Sequence, residues 1–120
     1  MLKRPYRLRR NQDFRRVRQE GRSWAHPLLI LGAAPNDLSY TRIGVTASRR
    51  VGKAVRRNRA KRLLREAVRR RYDRIRPGWD LVLIARPAIV EATFHQVDQA
   101  LEQLLQRAGL LRRQERPERS

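Results

Sequence analysis

The chain has no cysteine, one methionine, two histidines and eleven acidic residues among 120. Without cysteine there can be no disulfide and no thiolate metal site, a composition compatible with a reducing cytoplasm. His26 and His95 are separated by most of the sequence, a poor basis for paired acid–base chemistry. Asp80, Glu91 and Asp98 show no spacing that would cage a divalent cation. A glycine-rich phosphate loop is missing as well: Arg50-Val51-Gly52-Lys53 lacks the second glycine and the Ser/Thr such a loop requires. No apolar run approaches the roughly 18 residues of a membrane-spanning helix, and no stretch reads as a cleaved signal peptide. These side chains describe a binder rather than a catalyst. No protein-held metal and no membrane partner are expected, and a cytoplasmic location is.

What the chain does have is positive charge. Thirty Lys and Arg leave a formal net charge of +19, and only Lys3, Lys53 and Lys61 are lysines. Such a chain binds phosphate backbones by default, and arginine suits bidentate phosphate contacts and stacking on bases. Attraction to an anionic membrane surface is the competing use of the same charge. Hydrophobic residues make up 40% of the sequence, enough to argue against disorder and for one domain with an adequate core. A single domain over residues 1–120 is expected, with the basic arm 1–10 and the charged tail 110–120 flexible.

The order of elements follows from periodicity and punctuation. Asn11 as N-cap, Asp13 in the first turn, Phe14 and Val17 as an apolar stripe, and Gly21 as a stop predict a short helix over 12–20. Residues 28–34 form an apolar run of strand length, broken by Pro35-Asn36-Asp37. Over 42–48 the sequence alternates. Ile43, Val45 and Ala47 point to a core, while Gly44, Thr46 and Ser48 form a small, polar face. That face is either the floor of an open groove or a loosely packed edge. A helix is predicted over 53–74, ended by Pro77-Gly78, then a buried strand over 80–85. Thr93 with Gln96 three residues on is a capping-box pattern, and Phe94, Val97, Leu101, Leu104, Leu105 and Ala108 give the last helix its stripe before Gly109. The resulting fold class is a small α/β (α+β) two-layer sandwich, helix-strand-strand-helix-strand-helix.

The stretch from Thr46 to Tyr72 dominates. Ala60, Leu63, Leu64, Ala67, Val68 and Tyr72 recur at spacings of three and four, the mark of one buried stripe. Between Arg49 and Arg76 stand fourteen Lys/Arg against Glu66 and Asp73. Arg57, Lys61, Arg65 and Arg69 fall at i, i+4 spacing and repel one another. A solvated face usually mixes signs and this one barely does, which favours a polyanion laid against it over mere hydration.

The helix reads Arg57-Asn58-Arg59-x-Lys61-Arg62-x-x-Arg65-Glu66, preceded by Ser48-Arg49-Arg50-Val51-Gly52-Lys53-Ala54-Val55. This closely resembles the Arg-Asn-Arg motif of the protein subunit of bacterial ribonuclease P. The resemblance continues through Asn11-x-Asp13-Phe14-x-x-Val17 and Gly21, Gly44 and Ser48, and Asp80-x-x-x-Ile84-Ala85-Arg86, covering nearly all of residues 5–110. It implies an RNA-binding subunit of an endoribonuclease in which a catalytic RNA and Mg²⁺, held mainly by that RNA and the substrate, remove the 5′ leader of precursor tRNA. The protein alone would be inactive, and no obligate protein partner is implied. The family fold has the same element order, with a left-handed crossover through the basic helix where the general rule predicts a right-handed one.

Carried over by residue, the resemblance assigns RNA binding to Arg49, Arg50, Lys53, Arg57, Asn58, Arg59, Lys61, Arg62 and Arg65. It assigns the leader groove to Phe14, Arg18, Gly44, Thr46 and Ser48. Two positions depart from the family: Arg18 stands where many relatives have a second aromatic, and Gly32 where some have tyrosine. Arg18 could stack its guanidinium on a base or pair with a phosphate. Asn58 both donates and accepts, so it can make an orienting contact that arginine cannot; otherwise it is a surface residue. A ribosomal-type RNA-binding protein of similar fold is the alternative, since charge and scaffold alone do not separate the two.

Overall fold

The computed structural model describes residues 3–112. Its elements are α1 (Asn11–Glu20), β1 (Arg22–Ala25), β2 (Leu29–Pro35), β3 (Arg42–Ala47), α2 (Ala54–Arg71), β4 (Trp79–Ala85) and α3 (Phe94–Arg107). The four strands form one sheet in the order β1-β2-β4-β3. β2 pairs antiparallel with both β1 and β4, while β3 and β4 are parallel. A parallel neighbour cannot be reached by a tight turn, so α2 is the crossover between them.

Alternation divides the sheet into two unlike faces. Leu29, Leu31 and Ala33 of β2, Ile43 of β3 and Leu81, Leu83 and Ala85 of β4 meet Ala60, Leu64, Ala67 and Val68 of α2 and Val97, Leu101, Leu104 and Leu105 of α3 in the main core. This is the expected layer of helices on sheet. The opposite face is covered only in part, where Val17 of α1 and Leu8 of the arm bury against Ala34 and Val82. One narrow helix on a four-stranded surface leaves troughs beside it, and this is what makes the second face available.

The helix boundaries differ from expectation by a residue or a turn. α1 begins at Asn11, with Arg10 in the capping position and no side-chain cap. α2 ends at Arg71 and passes into a 3₁₀ turn over Tyr72–Arg74. The Thr93–Gln96 capping box forms as expected. Gly21 does end α1, but its φ is −91°, so no left-handed conformation is involved. A Cβ there would lie 2.4 Å from the Ala33 carbonyl oxygen and 2.5 Å from that of Val17; glycine lets the helix end lie directly on the sheet. β1 was not expected from the sequence. It is an edge strand with three of its four residues exposed, so it has no apolar alternation to read.

Both ends of the described chain are packed. The basic arm, expected to be flexible, lies along β3: Leu8 is buried, its N–H donates to the Ile43 carbonyl at 2.8 Å, and Arg7 bridges to Ile43. The tyrosine Tyr6 sits against Tyr40 and Tyr72. At the other end Leu110 is buried and Arg112 N–H donates to the Arg74 carbonyl at 2.6 Å. The rest of the expected tail, 113–120, lies outside the described residues.

Asp80 ties the two faces together. It is the first buried residue of β4, fully inaccessible, and its carboxylate accepts from four donors. Arg42 of β3 donates through Nε at 2.9 Å and Nη2 at 2.6 Å, Arg16 of α1 at 2.5 Å and Asn36 at 3.0 Å. Burial pushes the Asp80 carboxyl up, but the hydrogen bonds from Arg42, Asn36 and Arg16 outweigh it and hold it below its ordinary value. A carboxyl with a depressed folded-state pKa stabilises the fold above the ordinary carboxylate range, and that stability is lost as pH falls through and below it. Replacing Asp80 by Ala is expected to cost about 3 kcal/mol, the lower end for a broken buried pair because both guanidiniums keep partial access to water. In acid titrations of stability below about pH 4, the Asp80→Asn protein is expected to show a shallower dependence than the parent. Parallel curves would mean that the carboxylate contributes no pH-linked stability.

Candidate nucleic-acid interface

The sequence places a cation at most exposed positions around α2, and the structure sorts these cations by what lies within reach. Several are committed inside the protein. Arg71, only 8% exposed, donates to Asp98 at 2.8 Å, Glu102 at 3.0 Å and the Ala67 carbonyl at 2.8 Å. Arg74 shares Glu102 at 3.2 Å. Arg69 pairs with Glu66 one turn back, raising the Arg69 pKa and lowering that of Glu66 through their hydrogen bond. Arg70 lies over the Phe94 ring, its guanidinium carbon 5.5 Å from the centroid.

Two motif residues are also tied to the protein. Arg57 donates to the Gly52 carbonyl at 2.9 Å. Arg59 reaches across to the 3₁₀ turn Pro87–Glu91 and its end, donating to the Val90 and Ala92 carbonyls at 3.3 and 3.2 Å. The row Arg57, Lys61, Arg65, Arg69 therefore has both of its ends partnered. Arg49, Arg50, Lys53, Arg56, Lys61, Arg62 and Arg65 make no side-chain hydrogen bond or ion pair among the described residues. Asn58, Lys61, Arg62 and Arg65 border a shallow hollow on the solvent side of the helix with Glu66. Asn58, one position before Arg59, is exposed.

Helix α2 is fixed relative to β3 by the tyrosine that follows it. Tyr72 OH donates to the Thr41 carbonyl at 2.5 Å, and burial, with Tyr6 and Tyr40 nearby, pushes its pKa up to about 12. Thr41, itself buried, donates to the Arg76 carbonyl at 2.6 Å and accepts from Trp79 N–H at 3.1 Å. These contacts hold the helix end against the strand that begins the trough.

On the α1 face the groove residues are only partly brought together. Phe14 rests on Gly44: a Cβ at Gly44 would lie 2.5 Å from Phe14 Cζ and 3.1 Å from Leu8 Cβ. The glycine thus gives the ring its seat and is itself covered. Thr46, two residues on and on the same strand face, is half-buried; Ser48 leaves the strand, is exposed, and accepts from Arg50 N–H at 3.2 Å at the start of the 3₁₀ turn Arg49–Val51. Arg18 is separate from this group. It borders a second hollow with Gly21, Arg22 and Ser23 over Ile30 and Ile84, toward β1. Arg22 and Ser23 were not singled out by the sequence because β1 itself was not legible.

Among the described residues no three His, Asp or Glu side chains gather as a metal site, and no helix is long and apolar enough to cross a membrane. Asp13, Asp80, Asp98 and Glu102 lie within ion-pair distance of arginines, so these carboxylates do not fit a protein-held Mg²⁺.

Comparison with known proteins gives a consistent result. Residues 2–109 match the family model described as Ribonuclease P. The chain is 47% identical over 116 residues to the ribonuclease P protein component of Herpetosiphon aurantiacus, covering 97% of this chain and 94% of that one. Among solved structures it resembles the ribonuclease P protein of Staphylococcus aureus, with a TM-score of 0.82, 31% identity and coverage of 88% of this chain and 97% of that one. It also resembles the protein from Thermotoga maritima, with a TM-score of 0.77, 35% identity and coverage of 84% and 96%.

The two kinds of cation on α2 should behave differently in unfolding by urea. Arg59→Ala is expected to lose about 1–2 kcal/mol with its two carbonyl contacts, discounted for their length and partial exposure, whereas Arg62→Ala should stay within about 0.5 kcal/mol of the parent. Equal values for the two would remove Arg59 from any anchoring role. Gly44→Ala is expected to cost about 1–3 kcal/mol through the displaced ring, and a Phe14→Ala background should recover part of that loss, as the coupling in a double-mutant cycle.

Proposed function

The chain belongs to the ribonuclease P protein family, and on that premise we propose that it serves its enzyme by holding two RNAs with two different surfaces. As a ribonuclease P protein component it is a subunit of a tRNA-processing nuclease. Its partly unpartnered basic helix is assigned to the catalytic RNA, through Arg49, Arg50, Lys53, Arg57, Asn58, Arg59, Lys61, Arg62 and Arg65. The trough beside α1 with Phe14, Gly44, Thr46 and Ser48, together with the separate hollow that Arg18 borders, is assigned to the single-stranded 5′ leader of precursor tRNA. Hydrolysis itself belongs to the RNA and to Mg²⁺ held by that RNA and the substrate.

The observation that carries this reading is that Arg49, Arg50, Lys53, Arg56, Lys61, Arg62 and Arg65 make no side-chain hydrogen bond or ion pair among the described residues, while Arg57 and Arg59 are tied to backbone carbonyls. Left in water such a run repels itself, and each phosphate it meets releases counterions. Arg57 and Arg59 fit a mixed role, because a guanidinium has five donors and each uses one or two inside the protein. Leaders differ in sequence, so a useful groove reads charge and base faces rather than base edges. Phe14, held on Gly44 at the trough, offers a ring of that kind. Membership of the family weighs against the ribosomal-type alternative.

Reconstitution tests the assignment. Protein added to the ribonuclease P RNA of its genome at low Mg²⁺ is expected to raise precursor-tRNA cleavage, with no cleavage by protein alone; unchanged RNA activity would sink the proposal. Arg62→Ala should lower the slope of log affinity against log salt by roughly 0.7–0.9 or less. Phe14→Ala should weaken precursor tRNA more than mature tRNA, and equal losses would confine the ring to packing.

A further inference from the structure

Helix α1 owes little of its position to apolar packing. It buries one side chain, Val17, and packs Phe14 only in part. Its other ties to the sheet are polar. Arg16 donates to Asp80 at 2.5 Å and to the Pro35 carbonyl at 3.0 Å, and Asp13 stands 3.8 Å from Arg42. Asp13 and Arg16 lie one turn apart, each next to a member of the apolar stripe, Phe14 and Val17. We infer that Asp80 and Arg16 are positioning residues for leader binding: neither contacts RNA, and their bond holds α1 where the Phe14 ring and the β3 face form the trough in advance. The inference rests on the assignment of that trough to the 5′ leader, and adds two residues that act on it through the helix.

Three observations support it. First, the acceptor is itself held rigidly. Asp80 is inaccessible, takes two bonds from Arg42, and takes a third from Asn36, which also donates to the Tyr40 carbonyl at 3.1 Å and accepts from Leu38 N–H at 2.7 Å. A buried carboxylate oriented from one side offers α1 a fixed point on the other. Second, the tolerance is small. The gap between Phe14 and Gly44 admits no Cβ, so the ring leaves its seat if the first half of α1 lifts by the width of a methyl group. Close contact of Gly21 with the Ala33 carbonyl fixes only the far end of the helix. Third, the Arg16 guanidinium is already committed: Nη2 serves Asp80, Nη1 serves Pro35, and Glu20 lies 4.0 Å away. It differs in this from Arg62, whose side chain has no such partner among the described residues.

Neutralising Asp80 separates positioning from direct contact, because the two give opposite signs. Asp80→Asn frees Arg16 and Arg42 without removing a cation, so direct phosphate contact would tighten precursor tRNA and lost positioning weakens it. In the enzyme reconstituted with its ribonuclease P RNA, Asp80→Asn and Arg16→Met are expected to weaken precursor tRNA about fivefold, as the fraction of protein with α1 in place falls by that factor. Affinity for mature tRNA and the cleavage rate at saturating precursor should not change, a KM-against-kcat split that a general loss of stability does not produce. Arg16→Lys, which keeps a donor for Asp80, should recover part of the loss. The Arg16 side chain is 29% exposed, and its removal leaves Asp80 three donor atoms, so Arg16→Met reports even if Asp80→Asn unfolds. Precursor binding that is unchanged or tighter, or that falls equally with mature tRNA, would overturn the inference. So would a lower salt slope in Arg16→Met, which would make Arg16 a phosphate contact. If Phe14→Ala separates precursor from mature tRNA and these variants do not, the leader assignment stands and the positioning role is lost. If Phe14→Ala fails to separate them, the leader assignment falls and takes this inference with it.

Discussion

The buried carboxylate of Asp80 is the constraint on which the rest of the arrangement depends. A chain of net charge +19 has to bring arginines from α1 and β3 within a few ångströms of one another to close its second face. Arg16 and Arg42 would repel at that distance. One fully buried anion at the start of β4 converts the repulsion into a shared set of charge-assisted bonds with Asn36 completing it. Desolvating Asp80 is unfavourable in itself, and the four donors offset that cost. Because Arg16 belongs to α1, the same bonds set where that helix crosses the sheet. They thereby help to determine where Phe14 and Arg18 come to rest.

A second anionic cluster does for the core what Asp80 does for the trough. Arg71 and Arg74 at the end of the basic helix meet Asp98 and Glu102 of α3. Asp80, Asp98 and Glu102 are thus placed where two elements join, and they neutralise the cations nearest the interior. What is left uncompensated is the outer side of α2 and the turn before it. Scarcity of negative charge is consequently a structural instrument here. It decides which arginines become part of the scaffold and which remain available to a polyanion.

Glycine has a comparable role on the α1 face. Gly21 lets the end of α1 touch the Ala33 carbonyl, and Gly44 gives Phe14 its place. At both positions the missing side chain permits contact between elements. Steric room and charge balance together make a partly covered sheet face beside a basic helix.

Much of this was legible in the order of residues. The amphipathic period of the basic helix, the capping box at Thr93, the alternation from Ile43 to Ser48 and the spacing of the Arg-Asn-Arg motif are local properties, set by the 3.6- and 2-residue repeats of the backbone. They set the order of every element except β1 and the identity of the cationic helix. β1 escaped because an edge strand with one half-buried residue carries no such repeat. The partners of individual arginines escaped for a related reason. Arg59 meets Val90 and Ala92, and Arg71 meets Asp98, about thirty residues away in sequence. Arg9 lines one cleft with Arg65 only because the arm folds onto β3. The sequence by itself determined how many positive charges the helix carries and that one stripe of it is buried. Only the tertiary structure decided which of those charges are already satisfied, because a guanidinium's partner depends on packing between elements that no local repeat records.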